Sequence, residues 1–204
     1  MRMVRRTKAE AEQTREQILD AAEGVFLERG VARASLEEIA QAAGVTRGAV
    51  YWHFRNKADL FDAMYCRVHL PMQDLFDQVL TLTDGGAVEA LRAFCAQSLQ
   101  CLATNHRRQR VYTILFHRCE FVDGLRESND RLVAIRDSWL GSMEDLFRRE
   151  QAHGRLANVC PRLAAIAIHT AMIGIYFDYL RSPQTYDLSA QAPQLIDLVF
   201  RCVD

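Results

Sequence analysis

Between Gly44 and Lys57 the chain runs Gly44-Val45-Thr46-Arg47-Gly48-Ala49-Val50-Tyr51-Trp52-His53-Phe54-Arg55-Asn56-Lys57, and few backbones satisfy that order. Gly44 supplies the positive φ that ends one helix, and Thr46 supplies a hydroxyl that caps the next. Two short helices must meet at a tight turn. In the second, Val50 and Phe54 lie four residues apart and face inward, which leaves Arg47, Gly48, Tyr51, Trp52 and His53 on or beside the outer face. Two readings fit that face. Its aromatics pack against neighbouring helices, or its phenol, indole and imidazole donors meet phosphates of a DNA groove while Arg47 reaches guanine and Gly48 lets the backbone come close.

The remaining chain is helical by period and shows no strand pattern. Ile18, Ala22, Val25 and Phe26 set a first helix from Ala9 to Arg29, stopped by Gly30. Ser35 and Glu38 form a capping box that opens a second, with Leu36, Ile39, Ala40 and Ala43 on one face. Phe26, Leu36, Ile39, Val50 and Phe54 are then the expected core of a three-helix domain. Asn56 caps a following helix over 57–80, striped by Leu60, Phe61, Met64, Val68, Leu75, Phe76 and Val79, in which Pro71 frees the Arg67 carbonyl and is expected to kink or end the helix. Asp84-Gly85-Gly86 reads as a linker. Further helices are expected from Ala87 to Thr104, Arg107 to Phe121 and Leu125 to Glu150, then from Pro161 to Ser182-Pro183, striped by Leu163, Ile166, Ala167, Thr170, Ile173 and Phe177. A last one carries Leu195, Ile196, Val199, Phe200 and Val203. The expected fold is all-α, with a DNA-binding domain over 1–56 and a larger helical domain over 57–204, joined by the helix 57–80.

Residues 9–60 resemble the helix-turn-helix domain of the TetR family of transcriptional regulators. The resemblance rests on Ala21-Ala22, Phe26, Gly30, Ile39-Ala40, Ala43-Gly44-Val45, the run from Gly48 to Phe54, Lys57 and Leu60. Val4-Arg5-Arg6-Thr7-Lys8 and Arg118-Cys119-Glu120-Phe121 are similar to the subgroup that represses multidrug efflux pumps. The resemblance implies about nine helices, a dimer formed through the last two long helices, and operator DNA as partner. On this chain Ser35, Thr46, Arg47, Gly48, Tyr51, Trp52, His53 and Lys57 are the expected DNA-binding residues. Two recognition helices of a dimer read half-sites set roughly 34 to 36 Å apart, or a multiple, on a near-palindrome.

A net charge of −1 does not announce a nucleic-acid binder. Residues 1–60 hold ten basic and nine acidic side chains, so DNA affinity must come from where the charges sit. Arg2, Arg5, Arg6 and Lys8 precede the first acid, which suits either an arm reaching phosphates or a solvated tail. Half of the residues are hydrophobic, yet no run approaches the ~20 needed to span a bilayer. No secretory signal is visible, and the cytoplasm is the expected compartment. The six cysteines, Cys66, Cys95, Cys101, Cys119, Cys160 and Cys202, form no CxxC pair and read as buried reduced thiols, with thiol sensing as the alternative.

Polar or polarisable groups interrupt three apolar helices of the larger domain: Cys95 and Ser98; Tyr112, Phe116 and His117; His169, Met172 and Tyr176. Each can be a core residue with one local hydrogen bond, or together they line a mainly apolar pocket. The efflux-repressor resemblance implies the pocket, with Phe94, Cys95, Ser98, Tyr112, Phe116, His169, Met172, Ile173 and Tyr176 as its lining and a hydrophobic small molecule as effector. Tyr112 and Ile173 stand where that subgroup has small polar or acidic residues, so the ligand range here is expected to be narrower, or less suited to cations and polar phenols. Phe177, Leu180, Leu195, Val199 and Phe200 are the apolar positions expected at the dimer interface. Neither HExxH, GxSxG nor a Walker loop is present, and His117 with Glu120 one turn later is the nearest thing to an acid–base pair. No catalytic residue, metal or cofactor is expected. Enzyme and protein-binding scaffold remain the competing classes, and a TetR-type regulator with a metabolic ligand or thiol sensing is the competing function.

Overall fold

The computed structural model describes residues 8–82, 86–121, 123–156 and 158–201. The basic arm before Lys8, the linker residues Asp84 and Gly85, and Cys202 and Val203 lie outside the described residues. Among those described, the elements are nine α-helices and one 3-10 turn, with no strand: α1 (Lys8–Arg29), α2 (Leu36–Ala42), α3 (Arg47–His53), α4 (Lys57–Leu80), α5 (Ala87–Thr104), α6 (His106–His117), the turn Asp123–Leu125, α7 (Arg126–Ala152), α8 (Pro161–Arg181) and α9 (Leu188–Phe200). They fall into two compact units whose bounds differ from a cut at residue 57. The first runs to Arg67 and takes in Ile114–Asn129, and the second holds Val68–Thr113 and everything from Asp130.

In the first unit α1 packs on α2 and α3 around Ile18, Leu19, Phe26, Ile39, Val50 and Phe61. Leu36 is only half-buried, because as the first residue of α2 it sits a turn short of the layer made by Ile39 and Ala40. Gly30 (φ 80°) turns the chain out of α1, and the Val31 amide donates to the Arg118 carbonyl at 2.9 Å. Phe121 meets Phe61 edge-on at 6.4 Å, which seats the segment after α6 in this unit. Three carboxylates on α1 surround Arg67. Its guanidinium reaches Glu16 at 2.8 Å and Asp20 at 2.9 Å, and pairs with Glu23, which is buried.

Helix α4 does not end at Pro71 and continues to Leu80. A helix-interior proline costs ~3 kcal/mol or more, and the burial of Val68, Met72 and Phe76 on both sides of it offsets that loss. The carbonyl that Pro71 cannot bond belongs to Arg67, the last α4 residue in the first unit.

The second unit packs α5 along α9, with α8 against both. Phe76 stacks on Trp139 with centroids 4.2 Å apart and planes 7° apart, and Phe94 leans on both rings. Pro161 starts α8 and Ser182 caps it, as the sequence indicates. The inward face of that helix is Ala164, Ala165, Ile168, Tyr176 and Tyr179, whereas Leu163 (64% exposed), Ile166, Thr170, Ile173 and Phe177 point outward. A helix apolar on nearly every side does not reveal its inward face by periodicity. By length and composition alone α8 is long and apolar enough to cross a membrane, although Arg162, His169, Thr170 and Asp178 interrupt its apolar residues. Phe200 is fully buried under the Arg92 guanidinium at 5.2 Å, and Leu198 takes the exposed position on α9.

Candidate nucleic-acid interface and effector site

Two caps build the surface of α2 and α3. The Ser35 hydroxyl accepts from the Glu38 amide at 3.2 Å while the Glu38 carboxylate accepts from the Ser35 amide at 2.9 Å, closing the capping box. Those hydrogen bonds, with Arg29 adding its charge, hold the Glu38 carboxyl below the usual carboxylate range. Gly44 (φ 66°) makes the turn, and the Thr46 hydroxyl accepts from the Ala49 amide at 3.2 Å. Ser35 and Thr46 therefore already use their side chains locally.

On α3, Val50 is buried and the expected outer residues are outside: Trp52 is 72% exposed and Tyr51 46%, with Arg47 and Gly48 also exposed and His53 half-buried. The Arg47 guanidinium lies over the Tyr51 ring at 5.4 Å and donates to its hydroxyl at 3.4 Å. His53 meets Trp52 edge-on at 4.5 Å. The alternative in which these rings pack into neighbouring helices does not describe Tyr51 or Trp52.

Lys57, expected among the DNA-binding residues, has its ammonium engaged within the protein. Its ammonium donates to the carbonyls of Ala32 at 2.8 Å and Ala34 at 2.9 Å, closing the loop between α1 and α2, and burial pushes its pKa down. A basic residue beside a recognition helix looks the same in sequence whether it faces solvent or a loop carbonyl.

Of the nine residues expected to line the effector pocket, Ser98, Tyr112 and Tyr176 come together. Ser98 Oγ lies 2.8 Å from the Tyr176 hydroxyl, and the Tyr112 and Tyr176 rings meet edge-on at 5.0 Å. Phe94 belongs with Phe76 and Trp139, and Cys95 is a buried thiol pushed up to about 12 by desolvation. His169 and Met172 are half-buried on α8, and burial together with the charge of Arg136 pushes His169 down. Phe116 falls in the first unit, and Ile173 is 40% exposed on the outward stripe of α8.

The residue that holds the cluster together is Arg108, which the sequence did not single out. It is buried (6% exposed) and donates to the Tyr176 hydroxyl at 3.0 Å and to Ser98 Oγ at 3.5 Å, while its guanidinium lies 5.5 Å from the centre of the Tyr112 ring. The spacing to Tyr112 was a signal, since an arginine four residues before an inward-facing tyrosine shares its face.

Among the described residues no group of histidine, cysteine or carboxylate side chains is arranged to hold a metal ion. The described cysteines are free thiols; Cys119 is also pushed up to about 12, by burial and by Glu120, and Cys160 is exposed beside Pro161, not buried as expected.

Residues 18–64 match the family described as bacterial regulatory proteins, tetR family, and residues 87–204 match the C-terminal region of MAATS-type transcriptional repressors. The chain is 37% identical over 199 residues to the transcriptional repressor BepR of Brucella suis, covering 97% of this chain and 95% of BepR. It is equally identical over 199 residues to the transcriptional regulator TtgR of Pseudomonas putida, at 37%, covering 96% and 93%. NalD of Pseudomonas aeruginosa, the secondary repressor of the MexAB-OprM multidrug efflux pump, has the same fold with a TM-score of 0.88 at 41% identity over 96% of this chain and 98% of NalD. SmeT, solved as a complex with triclosan, gives 0.82 at 34% over 93% and 90%. With both of its regions matched and its relatives covered nearly end to end, the chain belongs to the TetR family of bacterial regulatory proteins.

Proposed function

We propose that this protein is a dimeric, ligand-responsive repressor that binds a near-palindromic operator beside a multidrug efflux operon in the cytoplasm and leaves it when a hydrophobic small molecule binds the second unit. The outward display of Arg47, Tyr51 and Trp52 on a helix capped at both its turn and its start carries the DNA half of this reading. In it, Arg47 reads a base edge, Gly48 permits close backbone approach, and Tyr51, Trp52 and His53 position the helix on phosphates. The outward stripe of α8 with exposed Leu198 on α9 supplies the self-complementary apolar surface a two-fold dimer needs. The efflux assignment follows the relatives, of which NalD and SmeT are described as repressors of such pumps.

Release follows from differential affinity. An effector among α5, α6 and α8 that fits one arrangement of the second unit better than another shifts the population, and a coupling of about 1 to 3 kcal/mol is typical. Helices α4 and α6 each give residues to both units, so they are the elements through which such a shift reaches α3. Thiol sensing is the weaker reading, because burial raises the Cys95 and Cys119 thiols, the reverse of a reactive cysteine.

The test is fluorescence anisotropy of the purified protein on DNA from beside its own gene, against random DNA, at two salt concentrations and with triclosan first among a panel of hydrophobic drugs. Selective, salt-sensitive binding released by one drug supports the whole reading. Selective binding that no drug releases removes the effector half, and equal binding to both DNAs removes the operator half.

A further inference from the structure

Arginine is seldom buried without a carboxylate partner, because its charge does not neutralise and desolvation is costly. Arg108 is buried, and among the described residues its partners are two neutral hydroxyls and an aromatic face, with no carboxylate in ion-pair range. Its Nε–H is buried and has no acceptor. Its place on the chain adds to the imbalance: Arg108 is the third residue of α6, where the helix's own partial charge is positive and a cation is disfavoured. A second donor in the same unit is in the same condition, since the buried Trp139 Nε1–H has no partner either. His69 lies between them in influence: its ring is 6.0 Å from Trp139, and burial, with the Arg108 charge adding to it, pushes its pKa down. The rings beside these donors are aromatic: Phe76 is stacked on Trp139 with Phe94 next to it, and Tyr112, under the Arg108 guanidinium, meets Tyr176.

The geometry points to an organic acid as the effector: a flat apolar body carrying a carboxylate, sulfonate or similar anion whose oxygens accept from the guanidinium of Arg108. This rests on the reading of the second unit as an effector site and specifies its chemistry. An anion supplies the missing counter-charge and the missing acceptor together, in charge-assisted hydrogen bonds that a neutral analogue of equal shape forms only weakly. An organic cation meets Arg108 as a like charge in a dry site and is rejected.

Two probes with one skeleton test this on the full-length protein: 8-anilinonaphthalene-1-sulfonate, which is anionic, and N-phenyl-1-naphthylamine, which is neutral. Arg108→Met is expected to weaken the sulfonate by about tenfold or more and to leave the neutral probe nearly unchanged. Equal losses for both probes, or none for the sulfonate, overturn the inference. Because the substitution can disturb folding, the unaltered protein is also tested by displacement of bound N-phenyl-1-naphthylamine. 2-Naphthoate is expected to compete about tenfold more strongly than 2-naphthamide, and equal competition overturns the inference whatever Arg108→Met does. If the neutral probe binds and only the preference for acids is missing, the effector site stands and its acidic specificity falls. If neither probe binds, the effector reading falls and takes this inference with it.

Discussion

The amide of Val31 donates to the main-chain carbonyl of Arg118 at 2.9 Å, which ties the loop after α1 to the residue that follows α6. Gly30 precedes that amide with a φ of 80°, and a Cβ there would stand 3.3 Å from the same carbonyl. Gly30→Ala is therefore expected to lower stability by about 1 to 2 kcal/mol through left-handed strain alone, with additional loss as the Arg118 carbonyl is pushed away. Chemical denaturation measures the first effect. A weaker response of operator binding to effector, at unchanged effector affinity, would report the second.

Arg67 is held by three acidic side chains, one of them the buried Glu23. Arg67→Met removes the guanidinium that faces the buried Glu23 carboxylate and is expected to cost about 3 to 5 kcal/mol. Adding Glu23→Leu should recover much of the loss, because the penalty belongs to a buried carboxylate deprived of that counter-charge. A double-mutant cycle in urea checks this, and a double variant no more stable than Arg67→Met would assign the loss to packing.

Arg47 and Lys57 should separate cleanly. Arg47→Ala is expected to cost about 1 to 3 kcal/mol on the operator and to relax preference at one base position. Lys57→Ala strands the carbonyls of Ala32 and Ala34, so its effect is a stability loss of about 1 to 3 kcal/mol with little change in the salt slope of DNA binding. Anisotropy at several salt concentrations, beside thermal melts, distinguishes the two.

The outward residues of α8 and α9 give a test of assembly. Phe177→Lys combined with Leu198→Lys places like charges on both copies of a two-fold contact and is expected to yield monomers in sedimentation, with operator affinity lost because two half-sites are no longer read together. A dimer that persists would move the interface elsewhere.

His69 and His169 both have pKa values pushed below the ordinary histidine value by burial, with Arg108 and Arg136 adding to it. The unfolded chain therefore takes up protons before the folded one does. Stability from these groups is present above about pH 6.5 and is lost as the pH falls from there towards the depressed folded values. The melting temperature should drop between pH 7 and pH 5, and His69→Gln should flatten part of that slope.

Sequence reading succeeded where local chemistry decides the structure. Ser35 with Glu38, Gly44, Thr46, Asn56 and Pro161 each mark a helix end through their own backbone or side-chain bonds, and each sits where it was expected. It failed where a third party decides. Lys57 and Arg108 are basic residues at helix starts whose burial depends on loops and helices far along the chain. Ile173 stands 40% exposed on α8, a helix with apolar residues on almost every side, so only packing selects which face turns inward. Pro71 does not end α4, because buried neighbours on both sides carry the helix past it to Leu80.

Helix α6 carries Arg108 and Tyr112 at one end and leads into Arg118 and Phe121 at the other, with the boundary between the two compact units falling inside it. Each residue added to a helix turns everything beyond it by about 100° and advances it by about 1.5 Å. An insertion or deletion between Tyr112 and His117 would leave each end intact in composition and yet aim one of them at the wrong neighbours. The length of this segment is therefore a stricter requirement than the identity of any one of its side chains.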